Sequence, residues 1–469
     1  MNKMNQSVLS SDARRNSEVE VWYSTSLAPG GSQWFSGPHE TEHRLSQQPG
    51  LSWTAPEAAQ SPALLVSPEH RYQEMLGIGT SIEETTIHNL AKMSPDKREQ
   101  VLRQLVDSEA GIGLNLIRIA IGTSDFTAEP FYTYNDLPEG ETDFELERFT
   151  IEKDIELSII ATIQQLIAIA PDVRIFASPW SPPAWMKTNG DLKRGMLKEG
   201  QAYTDALAKY YRKSIQAYAQ HGIPVYAMTM QNEPLLETDY PSCYMPPERQ
   251  KELAVALKRE FAAHGLTTKL WIFDHNFIDA MGYVTPILND PEGFAATDGI
   301  ALHDYEGSPE AMSELHAAYP DKPIYLTERS VWGAEGADRI AQYFRNYACS
   351  YNAWVTMLDS RIGTHQWMGT PGPTLFIQDA DQADNSWVTP EYYLLGQFSK
   401  FIRRGAVRVG STYGSAETVT NVVFLNPDGE FVAIVINQSE TAQPFRVLCQ
   451  GRQFADSLPA KTVATYCWK

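Results

Sequence analysis

Short β-prone runs alternate with helical segments eight times along this chain, and that alternation constrains the fold more than any other feature. The runs fall at 75–81, 114–121, 173–179, 225–231, 269–273, 299–303, 323–327 and 353–358. Between them apolar residues recur at helical spacing, as at 155–169, where Ile159, Ile160, Ile163, Leu166 and Ile167 share a face; 203–218 and 253–261 behave alike. Eight such units predict an α/β fold in which a parallel sheet closes into a (β/α)8 barrel. An open, doubly wound sheet is the rival. No GxGxxG fingerprint follows the first run, however, and Gly77-Ile78-Gly79-Thr80-Ser81 leads into Glu83-Glu84, a poor neighbour for phosphate.

The two ends of the chain have a different texture. After about residue 403, two-residue alternation takes over, with Asn426-Pro427-Asp428-Gly429 as a turn between two apolar runs and a last strand near 462–466. A strand at 19–25 is expected to join that same sheet, and 29–59, rich in Gly, Ser, Gln and Pro, reads as loop. The expected organisation is therefore an N-terminal strand and loop (1–70) contributing to a β-sandwich, a catalytic barrel (71–402), and the rest of the sandwich (403–469).

Charge excludes some partners. With 38 basic and 58 acidic residues the net charge is −20, so the chain is expected to be repelled by nucleic acid and by anionic lipid. No run approaches the length of a membrane span, and Met1-Asn2-Lys3-Met4-Asn5-Gln6-Ser7 has no apolar secretory core. A cytoplasmic protein, or one exported without a cleavable signal, is the expectation. The four cysteines lack CxxC spacing and suggest no zinc site; whether Cys449 and Cys467 pair is left open.

Barrel enzymes work at the C-terminal ends of their strands. In order, the runs here end near Glu83 and Glu84, Asp125, Trp180, Asn232 and Glu233, Asp274 and His275, His303 and Tyr305, Glu328, and Asp359. Two of these stand out: Glu233, in Gln231-Asn232-Glu233-Pro234, and Glu328, in Ile324-Tyr325-Leu326-Thr327-Glu328. Two carboxylates delivered by separate strand ends can break a glycosidic bond, one protonating the leaving oxygen and the other attacking the sugar carbon. Either residue could instead be a cap or an ion-pair partner. A metal-dependent hydrolase is disfavoured, because His275, His303 and Asp304 lack HExxH spacing.

At these residues the sequence resembles glycoside hydrolase family 30, which includes the acid β-glucosidases that hydrolyse glucosylceramide. The likeness is also carried by Arg118-Ile119, Ser124-Asp125-Phe126, the stretch from Ala177-Ser178-Pro179-Trp180 to Thr188-Asn189-Gly190, Leu302-His303, and Phe398-Ser399-Lys400-Phe401-Ile402. The resemblance implies a retaining β-glycosidase that needs no metal or organic cofactor and acts on a carbohydrate or glycoside. It implies Glu233 as general acid/base, Glu328 as nucleophile, Asn232 on the sugar 2-hydroxyl, Asp125 and Trp180 on the outer hydroxyls, and Arg118 paired with the nucleophile. Tyr305 is expected to donate to Glu328. His303 is expected to line the pocket, with a packed structural histidine as the alternative. A donor beside an anionic nucleophile is expected to have a raised pKa.

Three departures bear on specificity. The chain reads Met357-Leu358-Asp359-Ser360-Arg361 where glucosylceramide-cleaving members carry a Trp-Asn pair and then Gly-Gly-Pro-Asn. Asp304 follows His303 in place of Trp, and Arg329-Ser330-Val331-Trp332-Gly333 follows Glu328. The implied pocket loses one aromatic wall and gains Asp359 as a sugar contact. An endo-acting β-glucanase, such as one for the β-1,6-linked polymer, and a non-catalytic carbohydrate-binding descendant are the other expectations.

Overall fold

A computed structural model describes residues 18–26, 34–56 and 62–469. The stretch read above at residues 1–7 and parts of the 29–59 segment lie outside the described residues. Eight parallel strands close into a barrel in chain order: Gly77–Ser81, Leu116–Ile121, Arg174–Pro179, Val225–Thr229, Lys269–Asn276, Gly299–His303, Ile324–Glu328 and Ala348–Ala353. Ala348–Ala353 hydrogen-bonds to Gly77–Ser81 and completes the ring.

Strand periodicity stacks two layers inside this ring. Leu116, Phe176, Ala227, Ala301 and Tyr325 form a lower apolar plug with Trp271, whose ring stacks on Tyr325 at 4.0 Å. Two residues further along each strand the side chain points inward again. Those positions hold Arg118, Ser178, Thr229, His303 and Thr327, all with no more than trace exposure. The barrel thus carries a polar floor on an apolar plug. In the fifth strand a register shift at Phe273–His275, with Phe273 and Asp274 both at positive φ, sends Phe273 outward and Asp274 inward.

Two expectations from sequence need correction. The eighth strand is Ala348–Ala353, five residues earlier than the run at 353–358. Polar Ser350 and Asn352 disguise it, yet the Asn352 amide is spent inside the barrel on the carbonyls of Leu116 (3.1 Å) and Thr80 (3.4 Å). The more apolar run beyond it leaves the barrel, and Met357–Asp359 joins a separate three-stranded sheet with Phe376–Gln378 and Ser386–Val388. Likewise 29–59 is not all loop, since Ser46–Ser52 pairs with Glu18–Thr25.

The second unit draws strands from both chain ends. In spatial order they are Arg452–Leu458, Gln443–Cys449, Ala63–Glu74, Val407–Ser411, Thr420–Leu425, Phe431–Asn437, Thr462–Trp468, Glu18–Thr25 and Ser46–Ser52. A bridge between Thr54 and Gln453 brings its edges together around a core that includes Val435, Phe445 and Tyr466. Phe431–Asn437 is apolar on both faces because both are covered: Ala433 and Val435 face that core, and Ile434 and Ile436 face the barrel's helices. The same alternation separates the two cysteines. Cys449 packs in the sandwich core and Cys467 against the barrel side, and both are free.

Candidate active site

A cleft of about 960 Å³ opens at the C-terminal ends of the barrel strands, and Glu233 and Glu328 both line it. One carboxylate oxygen of each, and one imidazole nitrogen of His303, lie within 4.8 Å of one another. Glu233 sits at φ +48°, a left-handed conformation that non-glycine residues adopt rarely and that clusters at functional sites.

The polar floor holds Glu328 from both sides. One of its oxygens accepts from Arg118 Nη1 and the other from the Tyr305 hydroxyl at 2.8 Å. The remaining Arg118 N–H groups go to Asn232 Oδ1 (2.8 Å), Asp274 Oδ2 (3.1 Å) and Ser178 Oγ (3.1 Å). The bond from Arg118 fixes the orientation of the Asn232 amide and leaves its NH2 group for another acceptor. Asp274 is the hub. It accepts from Thr327 (2.6 Å), His303 Nε2 (3.0 Å), Thr229 (2.6 Å), Ser178 (3.2 Å) and Arg118, with no exposure to solvent. Burial opposes its charge, but the Arg118 and His303 cations overcome that and hold its carboxyl below the usual carboxylate range. Asp274 was visible in sequence only as one polar strand end among several; the bulge that turns it inward has no sequence mark.

His303 is wholly buried behind the glutamates and is absent from the cleft lining, so the expected pocket contact is corrected. Its Nδ1 stands 3.5 Å from Glu233 Oε1, an ion-pair distance rather than a formed hydrogen bond. Burial would lower its pKa, yet Glu328, Asp274 and Glu233 push it up to about 10. The consequence for Glu233 reverses the sequence expectation. Burial would raise its pKa, but the His303 imidazolium, helped by His275 and Arg118, draws it below its ordinary value.

The walls are aromatic. Trp180 and Trp354 stack with ring centroids 5.3 Å apart, and the Arg118 guanidinium lies 4.9 Å from the first ring and 5.6 Å from the second. Trp354 restores the aromatic wall thought lost; placing the eighth strand five residues late had hidden it inside a strand. Asp125, Trp180, Asn232 and Tyr305 all line the cleft. Burial, with Glu328 nearby, pushes the Asp125 carboxyl well above its ordinary pKa. Asp359, like His303, does not reach the cleft, and it turns to its own loop. It is absent from the cleft lining, and its oxygens accept from Arg361 N (2.8 Å), Gly363 N (3.4 Å) and Thr364 Oγ1 (3.2 Å) of its own loop. It organises that loop.

Glu233, His303 and Glu328 could in principle offer three ligand atoms to a cation. The Arg118 guanidinium and the Tyr305 hydroxyl already occupy Glu328, and a second cation would be repelled by the first.

A closed (β/α)8 barrel with a β-sandwich on its flank and paired carboxylates at its strand ends defines a class of carbohydrate-cleaving enzymes. The chain belongs to glycosyl hydrolase family 30: the family's TIM-barrel domain matches residues 75–402 and its β-sandwich domain 405–466. It is 29% identical over 433 residues to the lysosomal acid glucosylceramidase of Mus musculus, covering 87% of this chain and 83% of that protein. It is 29% identical over 423 residues to an endo-1,6-β-D-glucanase of Trichoderma harzianum, covering 84% of each. Among solved structures, an endo-β1,6-glucanase superimposes with a TM-score of 0.84 at 27% identity, covering 96% of this chain and 99% of that one. The protein is a glycoside hydrolase acting on carbohydrate substrates, and among its described residues no helix is long and apolar enough to cross a membrane.

Proposed function

We propose that the enzyme is a retaining β-glycosidase that hydrolyses β-linked glucosides, with Glu328 as nucleophile and Glu233 as general acid/base. The observation that carries this reading is the approach of the two carboxylates to within 4.8 Å. Retaining enzymes hold their carboxyl groups about 5–5.5 Å apart, whereas inverting ones need roughly 6.5–9.5 Å to seat a water between carboxylate and sugar.

In the first step Glu328 attacks the anomeric carbon as Glu233 protonates the departing oxygen, leaving a glycosyl ester on Glu328. In the second, Glu233 takes a proton from water, which displaces Glu328. Arg118 and Tyr305 aim the nucleophile. Asn232 is placed to donate to the sugar 2-hydroxyl, a bond that tightens as the ring becomes oxocarbenium-like. The stacked Trp180 and Trp354 offer a flat apolar face to the ring, and Asp125 reaches its outer hydroxyls. His303 holds the Glu233 carboxyl below its ordinary pKa in the free enzyme, so turnover of poor leaving groups should favour acidic conditions.

A second reading, an endo-acting β-glucanase, is supported by the likeness to the endo-1,6-β-glucanases and by a cleft whose rim stays open and aromatic. Product analysis on aryl β-glycosides and β-linked glucans tests both. Release of the β-anomer first supports retention, and initial α-anomer would overturn it. Chain-internal cuts in a glucan, rather than release of single glucose units, would select the second reading.

A further inference from the structure

We propose that Trp34, together with Trp332 and Trp367, forms a subsite for a second pyranose ring beside the sugar held between Glu233 and Glu328. The inference rests on the glycosidase reading above and deepens it. All three rings line the cleft, yet they come from unrelated places. Trp332 follows the seventh barrel strand, Trp367 lies in the loop after the eighth, and Trp34 lies outside both matched family domains.

Trp34 is held rather than loose. Phe35 packs edge-on against its ring at 5.5 Å and 87°, and both residues pack against the aromatic cluster that includes Trp180 and Trp354. Its carbonyl contacts a His39 ring nitrogen at 3.1 Å, and Arg44 donates to the His39 carbonyl. The segment is then tied to the first sandwich strand by Thr25 N to His43 O (3.0 Å) and Leu45 N to Ser24 Oγ (3.0 Å). The sandwich thereby delivers a tryptophan to the barrel's cleft.

The other two rings are presented to solvent, Trp332 at 51% exposure and Trp367 at 37%. Each lies against a glycine: a Cβ on Gly372 would come within 3.2 Å of the Trp332 ring, and one on Gly369 within 2.3 Å of Trp367. Glycine at these two positions leaves room for the backbone to pass close to the indole. Trp367 also stacks on Phe126 at 6.4 Å, so its position is fixed while part of its apolar surface stays exposed to an incoming ligand.

The polar neighbours decide what that ligand is. Arg329, Ser330 and Glu391 line the same part of the cleft as Trp332, and Arg329 Nε is buried without an acceptor among the described residues. A pyranose offers a flat C–H face to indole and a rim of hydroxyls to such groups, whereas an alkyl chain would leave the guanidinium and carboxylate desolvated and unpaired. The subsite therefore fits a β-linked oligosaccharide.

The test compares β-glucosyl fluoride, which has no second ring, with β-1,3-, β-1,4- and β-1,6-linked glucotrioses. Wild type should cleave the fluoride and at least one trisaccharide. In Trp34→Ala, kcat/KM on that trisaccharide should fall by about ten-fold more than on the fluoride, the scale of one lost stacking contact, and Trp34→Phe should recover most of it. An unchanged melting temperature checks that the variant is folded. Equal losses on both substrates in both variants, or no trisaccharide cleaved by wild type that does cleave the fluoride, would overturn the subsite and leave the glycosidase reading standing. A larger loss on micellar glucosylceramide than on any trisaccharide would assign the rings to an alkyl chain and overturn it too. Failure of wild type on every one of these substrates would overturn both.

Discussion

At the floor of the cleft, Arg118, Asp274 and His303 have no solvent exposure and both oxygens of Asp274 are multiply bonded; at the rim, Trp332 and Trp367 stand in solvent on loops. The floor is made from barrel strands whose two-residue repeat stacks polar groups on an apolar plug, so each position answers to several neighbours. The rim is made from loops beyond the strands, held by fewer contacts, such as those from Gln366 to the Asp125 and Glu129 carbonyls. Chemistry is thus placed where the fold is most constrained, and specificity where the chain is freest to change.

The strongest way to break this contrast is to remove a floor charge. Arg118→Met should leave Asp274 and Glu328 without their shared cation. Losing one partner of a buried pair costs about 3–5 kcal/mol, so urea unfolding should show a drop of that order together with near-complete loss of activity. A folded, active Arg118→Met of wild-type stability would dissolve the distinction.

Trp354→Ala removes a wall ring just above the floor, one that stacks on Trp180 and lies near Arg118. Truncating a buried tryptophan costs about 3–5 kcal/mol of stability, and kcat on β-glucosyl fluoride should fall as well, because the wall belongs to the first sugar. Loss confined to longer substrates would place Trp354 with the rim.

His303→Gln sharpens the electrostatics. With its cation gone, burial governs Glu233 and its pKa should rise, so the alkaline limb of kcat/KM should move to higher pH. A limb that stays put or moves down would show that His303 does not set the ionisation of Glu233. The same residue predicts a stability trend. Its folded pKa of about 10 exceeds the unfolded value, so its contribution is complete below about pH 6.5 and is lost as pH rises through 10. The variant should lack that alkaline decline.

Asp359→Ala should have the smallest effect, a change of a few-fold in KM with kcat nearly constant, because one loop turn loses its acceptor. A loss of kcat on a par with Trp354→Ala would return Asp359 to the sugar.

Much of the floor was legible in sequence because barrel strands impose order. Glu233, Glu328, Arg118, Asn232, Asp125 and Trp180 all sit on or just beyond strands that apolar patterning located within a few residues. The eighth strand was misplaced because its inward groups are the polar Ser350 and Asn352; the Asn352 amide nitrogen bonds carbonyls of neighbouring strands that no local pattern shows, and Trp354 went unrecognised with it. His303 sat correctly at its strand end but behind the carboxylates rather than beside the sugar, a matter of depth that periodicity does not encode. Trp34 offered no signal at all: it lies in a polar, glycine-rich stretch, and only the folded sandwich brings it to the cleft.

The central claim is that Glu328 attacks and Glu233 transfers protons, and azide tests it most directly. In Glu233→Ala an activated aryl β-glucoside should still form the ester on Glu328, and azide, which needs no general base, should enter from the β face to give β-glucosyl azide. In Glu328→Ala azide can only stand in for the missing carboxylate and should give the α-azide. Opposite anomers from the two variants, read by proton NMR, are the predicted result; the same anomer from both, or the pair reversed, would contradict the assignment of roles.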